Sequence, residues 1–401
     1  MRKKKIVYCD YAAATPVDRR VRALMDRYTS RYYANPLSLH SAGRKAKHVV
    51  EEAQKDVARA LGTTSKEIFF TSGATEANNI AILGALRSAK MRGVVKPHVV
   101  TASTEHSSIL GPIRELEKEG VRVSIIPVDQ NGIIRFDELK KVLRKETVLV
   151  SVMHVNNETG VIQPLTRIAA LIKEARAGGK LGYPYLHTDA SQSPRSLPIN
   201  VHTFGVDMLT LDGAKMYGPK GIGILYVLGG GDGIFGVSLK PILFGNGRRA
   251  PLKPGTPNVP AIIGVAKALT VSLKESRGEE RRLSVLKQYF IKELQKLFPE
   301  VSLNGNPKTS VSGILNVSFP GILSEEMLMA LDLSGIYVST ASACESELKR
   351  SHVILALTGD AKRAEESIRF SFGRGTNRDD CLYMLSTIRR IVSRKSKVSK
   401  K

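Results

Sequence analysis

Residues 185–189, YLHTD, and 207–227, DMLTLDGAKMYGPKGIGILYV, carry the reading that decides the fold. YLHTD, DMLTL and IGILYV are short, apolar runs rich in β-branched and aromatic residues, the composition of strands. Similar runs occur upstream at 67–71, 98–102, 121–127 and 147–154. Between them lie segments with helical spacing of apolar residues, from Glu76 through Leu86 and then at 107–119, 136–145 and 165–177. Strands alternating with helices build a mostly parallel sheet covered on both faces. The chain is therefore predicted to be α/β with a seven-stranded sheet. Residues 41–62 add a long amphipathic helix with Val49, Val50, Ala53, Val57 and Leu61 near one face.

The 401 residues are 42% hydrophobic and 24% charged, with 34 Gly and 18 Pro. That is a globular balance, and it excludes disordered and collagen-like chains. A Gly-, Pro- and Arg-rich stretch at 229–259 interrupts the alternation. Beyond it come a long helical region at 260–297 and strands near 312–318 and 366–371. The expected division is a large α/β domain over 15–258, a smaller α+β domain from 1–14 and 259–393, and a basic tail, 394–401, expected to be disordered. No apolar run is long enough for a membrane span. Ile6-Val7-Tyr8, after Arg2-Lys3-Lys4-Lys5, is too short for a secretory core. Three cysteines, Cys9, Cys344 and Cys381, cannot make a disulfide framework, so a reducing, cytoplasmic setting is expected. The net charge is +24, with part of it in Arg2, Lys3, Lys4 and Lys5 and in Arg394, Lys395, Lys397, Lys400 and Lys401. Such a surface favours anionic ligands. Without a helix-turn-helix, RNP or zinc pattern, and with no Trp, direct nucleic-acid binding is not expected.

Ligands of open α/β sheets lie beyond the carboxyl ends of the strands. Four polar clusters fall at such ends: Ser72-Gly73-Ala74-Thr75, Thr104-Glu105-His106, Asn156-Asn157-Glu158 and Asp189-Ala190-Ser191-Gln192. One such cluster is usually a helix cap, whereas four in one sheet point to a site. The first opens a helix, where free amides suit a phosphate; it also reads as a plain N-cap by Ser72 or Thr75. Asp189 and Lys215 are the carboxylate and amine that a pyridoxal phosphate enzyme requires, one facing the pyridinium nitrogen and the other forming a Schiff base. To attack an aldehyde the lysine must lose its proton, which calls for a pocket that disfavours its charge. The apolar strand before Lys215 and Tyr217-Gly218-Pro219 after it suit such a pocket. Cys344 sits in Ser339-Thr340-Ala341-Ser342-Ala343-Cys344-Glu345-Ser346, small polar residues suited to an exposed, reactive thiolate. Cys9 and Cys381 read as small buried hydrophobes.

Taken together, YCDYAAATPVD (8–18), FFTSGATEANN (69–79), TEH (104–106), VSVMHVNNETG (150–160), HTDASQS (187–193), KMYGPKGIGILYV (215–227), GTPNVP (255–260), STASAC (339–344) and SIRFSFGR (367–374) resemble a known family. They are similar to the cysteine desulfurases of the iron–sulfur assembly type, in the class V aminotransferase group of fold-type I pyridoxal phosphate enzymes. The resemblance covers about residues 6–393. It implies conversion of L-cysteine to L-alanine, with a persulfide formed on Cys344 and sulfur passed to an acceptor protein for iron–sulfur assembly or tRNA thiolation. By position, Lys215 would hold pyridoxal 5'-phosphate, Asp189 would pair with its ring nitrogen and Gln192 would bond its phenolic oxygen. His106 would stack on the ring and assist proton transfer. Asn157 would contact cofactor and substrate. Ala74 and Thr75 would bind phosphate, joined by Thr256 from a second subunit of a homodimer. Arg369 would clamp the substrate carboxylate. No metal is implied beyond a transient iron–sulfur contact through Cys344. The alternatives are a selenocysteine lyase, another class V aminotransferase-type enzyme, or a catalytically impaired scaffold homologue.

The segment before the lysine departs from this pattern. The family commonly places a Ser and a His on the phosphate where this chain has Asp212 and Ala214. A carboxylate about 4 Å from a phosphate is repulsive by roughly 1–4 kcal/mol, so Asp212 is expected to point away or to meet a cation. In the partner loop Ala250 and Lys253 stand where the family has arginines, and Arg248 and Arg249 replace a more polar pair. Arg248, Arg249 or Lys253 is the expected source of compensating charge.

Overall fold

The computed structural model describes residues 5–177, 182–234, 236–245, 252–340 and 350–398. The chain begins with β1 (Val7–Tyr8), α1 (Arg19–Ser30) and α2 (Ser41–Leu61). The alternating part follows: β2 (Ile68–Thr71), α3 (Ala74–Met91), β3 (His98–Ala102), α4 (Ser107–Lys118), β4 (Arg122–Ile126), α5 (Phe136–Val142), β5 (Thr147–Ser151), α6 (Leu165–Ala177), β6 (Tyr185–Asp189), α7 (Val201–Phe204), β7 (Met208–Asp212) and β8 (Gly223–Val227). Then come α8 (Val259–Leu297), β9 (Ser302–Asn304), β10 (Ile314–Ser318), α9 (Ser324–Leu333), β11 (Ile336–Tyr337), α10 (His352–Thr358), α11 (Ala361–Glu365), β12 (Ser367–Ser371) and α12 (Arg378–Val398).

Seven strands form one sheet in the order β2-β8-β7-β6-β5-β3-β4. Only β8 runs against its neighbours β2 and β7; the other pairs are parallel. Strand side chains alternate between faces, so Val100 and Val150 enter one core and Val99 and Leu149 the other. The first core is closed by α2, α6 and the start of α8, the second by α3 and α4. β3 has β4 on one side and β5 on the other, which opens a crevice at the carboxyl ends of the strands.

A second sheet, β12-β10-β9, is antiparallel, and β1 pairs with β11 in parallel. Its core holds Phe290, Phe370, Phe372, Met384 and Ile388. Helix α8 spans 39 residues, about 58 Å at 1.5 Å per residue. It gives Ile262, Val265 and Leu269 to the first core and Leu283, Phe290 and Leu294 to this one.

Observed strands follow the expected runs closely, but β5 stops at Ser151 and α3 runs from Ala74 to Met91, longer than anticipated. The expectation of disorder after Arg394 is corrected: α12 continues to Val398. Its buried Cys381, Met384, Leu385 and Ile388 anchor it to the core, and extending an existing helix costs far less than starting one.

Candidate active site

A cavity of about 230 Å³ opens at the carboxyl ends of the strands. It is lined by Ala74, Thr75, His106, Asn157, Asp189, Gln192, Lys215 and Arg369, eight of the ten residues singled out in the sequence. Thr256 lines a separate, larger cavity of about 820 Å³ with Ser72 and Lys253. Cys344, Arg248 and Arg249 lie outside the described residues.

Lys215 closes a short 3-10 turn after β7. Gly213 permits that turn, because a Cβ there would stand 2.6 Å from Pro219 O. Tyr217 takes a left-handed φ of 60°, a cost of about 1–2 kcal/mol for a non-glycine residue. Its amide donates to Thr15 Oγ1 at 2.7 Å and its hydroxyl accepts from the Arg374 amide at 3.0 Å. The lysine is thus fixed from both sides, and its Nζ donates to Ala13 O at 2.5 Å.

Asp189 ends β6. Its Oδ1 accepts from the Ser191 amide and its Oδ2 from Asn78 Nδ2, each at 2.9 Å. Asn78 Nδ2 also donates to Ser108 Oγ at 2.9 Å, which lies 2.9 Å from His106 Nδ1. The Ser108 amide donates to the same Nδ1 at 3.2 Å. His106, the N-cap of α4, therefore uses Nδ1 as an acceptor, leaving Nε2 to carry the proton. Gln192 Nε2 donates to Ala12 O at 2.9 Å, and Arg195 donates to its Oε1 at 3.4 Å. Arg369, 1% exposed, pairs with Asp10 at 2.9 Å and donates to Asn157 O at 3.1 Å. It also bridges Ser339, which precedes the Cys344 segment. After that segment, Ser351 Oγ donates to Glu158 Oε2 at 2.6 Å.

The buried surroundings favour neutral groups. Burial holds His187, behind Asp189, down to about 4, and does the same to His154. Burial pushes the Glu105 carboxyl well above the usual carboxylate range; its Oε1 accepts from the Met153 amide at 2.8 Å. Cys9 and Cys381 are buried free thiols, and burial pushes Cys9 well up and Cys381 to about 11.

The phosphate cradle differs from expectation. Asp212 does not point away: its Oδ2 accepts from the Ala74 amide at 3.1 Å and its Oδ1 from the Ala214 amide at 2.8 Å. Lys253 lies 3.9 Å from Glu76 in the first turn of α3 and lines the larger cavity, not this one. The residues otherwise fit pyridoxal phosphate. An amine, a carboxylate and anion-accepting amides share one cavity, and among the described residues Ser191 Oγ and Arg369 Nε are buried without a hydrogen-bond partner.

Sequence reasoning missed Asn78, Ser108, Asp10 and the carbonyls of Ala12 and Ala13, and named Ser191 only as part of a cluster. Asn78, Asp10, Ala12 and Ala13 lie within quoted motifs, and Ser108 follows TEH by two positions, so proximity to those motifs was the available signal.

The aminotransferase class-V family model matches residues 7–384. The chain is 39% identical over 397 residues to cysteine desulfurase IscS of Dictyoglomus turgidum, covering 99% of this chain and 97% of that one. It is 38% identical over 389 residues to cysteine desulfurase IscS 1 of Archaeoglobus fulgidus, covering 96% and 97%. Among solved structures, a NifS-like protein superposes with a TM-score of 0.88 at 31% identity, covering 97% of this chain and all of that one. The chain belongs to the class-V aminotransferase family, among the cysteine desulfurases. It is accordingly a pyridoxal phosphate enzyme.

Proposed function

We propose that this cavity is where the chain binds pyridoxal phosphate and L-cysteine and does its work as a cysteine desulfurase. The observation that carries the reading is the meeting in one cavity of Lys215 from the turn after β7, Asp189 from β6 and Arg369 from β12. That convergence also argues against an impaired scaffold. Bound there, pyridoxal phosphate supplies an electron sink that makes the substrate α-proton acidic.

Asp189, oriented by Asn78 and Ser191, would hold the ring nitrogen protonated. Gln192 would bond the phenolic oxygen. Lys215 Nζ would hold the cofactor aldehyde and would move the substrate α-proton. His106 would pack against the cofactor ring, and its Nε2 would hold a proton for transfer. Ala74 and Thr75 hold the phosphate, with Thr256 reaching in from a second copy in a homodimer. Arg369 and Asn157 receive the substrate, the guanidinium taking the carboxylate. The Cys344 thiolate attacks the substrate sulfur. A sulfur–sulfur bond forms, the carbon–sulfur bond breaks, and protonation of that carbon yields alanine with no outside oxidant. The persulfide on Cys344 passes to an acceptor protein serving iron–sulfur assembly or tRNA thiolation.

The division into 15–258, 1–14 with 259–393, and 394–401 belongs to this reading. So does a reducing cytoplasmic compartment, supported by the buried free thiols of Cys9 and Cys381. Among the described residues no helix is long and apolar enough to cross a membrane.

The test is incubation of the holoprotein with L-cysteine, measuring alanine, protein-bound persulfide and, with a thiol reductant, sulfide. Equal alanine and sulfide are expected. Cys344→Ser should lose the persulfide, and Lys215→Ala should lose alanine. A wild-type protein that makes no alanine would overturn the assignment.

A further inference from the structure

Helix α3 begins at Gly73 with no side-chain cap of its own, so its first amides look outward for acceptors. One carboxylate already meets the first of them: Asp212 Oδ2 accepts from the Ala74 amide at 3.1 Å, while Glu76 Oε2 accepts from the Ser72 amide, just before the helix, at 2.6 Å. Asp212 ends β7 and lines the same cavity as Ala74, Thr75 and Lys215. Its other oxygen is held by the Ala214 amide at 2.8 Å. Gly73 takes a φ of 151°, a backbone conformation that side-chain-bearing residues rarely adopt. Lys253 stands 3.9 Å from Glu76 and is not a lining residue of the cofactor cavity.

We propose that Asp212 is an internal anion that competes with the cofactor phosphate for the Ala74 amide, so that it sets how weakly the chain holds its cofactor. The proposal rests on the pyridoxal phosphate reading of the cavity and deepens it. One amide hydrogen serves one acceptor at full strength. Phosphate arriving at α3 must displace Asp212 Oδ2 or share the Ala74 hydrogen with it. Even displaced, the carboxylate stays close, because the Ala214 amide and the β7 backbone hold its other end. One amide of the cradle that elsewhere rewards an anion is already taken by a carboxylate before the cofactor enters. Discrimination between phosphorylated and unphosphorylated forms of the vitamin aldehyde is correspondingly small.

The test measures affinity rather than turnover. Purified protein is stripped of cofactor and titrated with pyridoxal phosphate and, separately, with pyridoxal, following the visible-edge absorbance band. Wild type is compared with Asp212→Asn and Asp212→Ser. Asparagine keeps an acceptor for the Ala214 amide, so the turn before Lys215 keeps its hydrogen bond. Both variants should bind pyridoxal phosphate about tenfold more tightly or better, while pyridoxal affinity stays within about twofold. Unchanged or weaker pyridoxal phosphate binding in both variants overturns the proposal, as does equal tightening of both aldehydes. If neither aldehyde gives a Lys215-dependent band with any of the proteins, the cofactor reading itself falls, and this inference with it.

Discussion

Lys287→Met should remove an alkaline rise in stability that the wild-type chain possesses. Lys287 is 4% exposed in α8. Its Nζ donates to Ser310 Oγ at 2.8 Å and to Val311 O at 2.9 Å. Burial holds its ammonium down to about 8 from 10.5, with Glu280 pulling in the opposite direction. At about 1.4 kcal/mol per pH unit, that depression is worth about 3 kcal/mol. Below about pH 8 the lysine is protonated in both states, and the folded chain bears the whole penalty. Between about 8 and 10.5 the folded state has shed the proton and the unfolded state still binds it, so stability rises with pH. Methionine has no proton to shed. It also forfeits two hydrogen bonds of about 1 kcal/mol each, so near neutral pH the variant and wild type should be close. Toward pH 10.5 the wild type should gain about 3 kcal/mol relative to the variant. Urea unfolding of both proteins across this range reads the difference directly, and parallel pH curves would refute the argument. The site matters to function because the Val311 amide donates to Gly160 O at 2.9 Å and Ser310 bridges Val161, backing the loop that carries Asn157.

Arg369→Lys should raise the KM for L-cysteine by roughly 10–100-fold with a smaller change in kcat, because an ammonium cannot present the planar fork; an unchanged KM would rule out the carboxylate clamp. Glu105→Gln should stabilise the chain at neutral pH. The buried carboxyl stays protonated in the fold while the unfolded chain ionises above about 4.5, so wild-type stability falls as pH rises through that value. Melting temperatures near pH 5 and pH 8 should therefore lie closer together in the variant than in wild type, and an equally steep fall would show that Glu105 is not the source.

The sheet was legible because its strands are dense β-branched runs that end at polar clusters. VLVS at 148–151 and HVVTA at 98–102 leave little room for another assignment, and chain order alone puts Asp189, Lys215 and His106 on one edge. The cradle was not legible. Asp212 bonds an amide 138 positions away, and a charge argument from the sequence sent its side chain in the wrong direction. That argument weighed the carboxylate against a phosphate, whereas the folded chain first weighs it against a helix start in need of an acceptor. Arg195 was passed over because a lone arginine among Ser, Pro and Leu carries no signal; only the fold places it on Gln192 Oε1. The helical run through Val398 escaped for the opposite reason. Its basic composition masks a segment that continues from a well-buried stretch.

Helix α8 has a mechanical consequence. It is one uninterrupted rod whose first turns are embedded beneath the large sheet and whose last turns are wedged against Phe370 and Phe372. Fraying at one end deprives the core at that end of packing partners. The two cores are thereby joined through one continuous helix, and Arg369 from β12 and Lys215 after β7 line a single cavity.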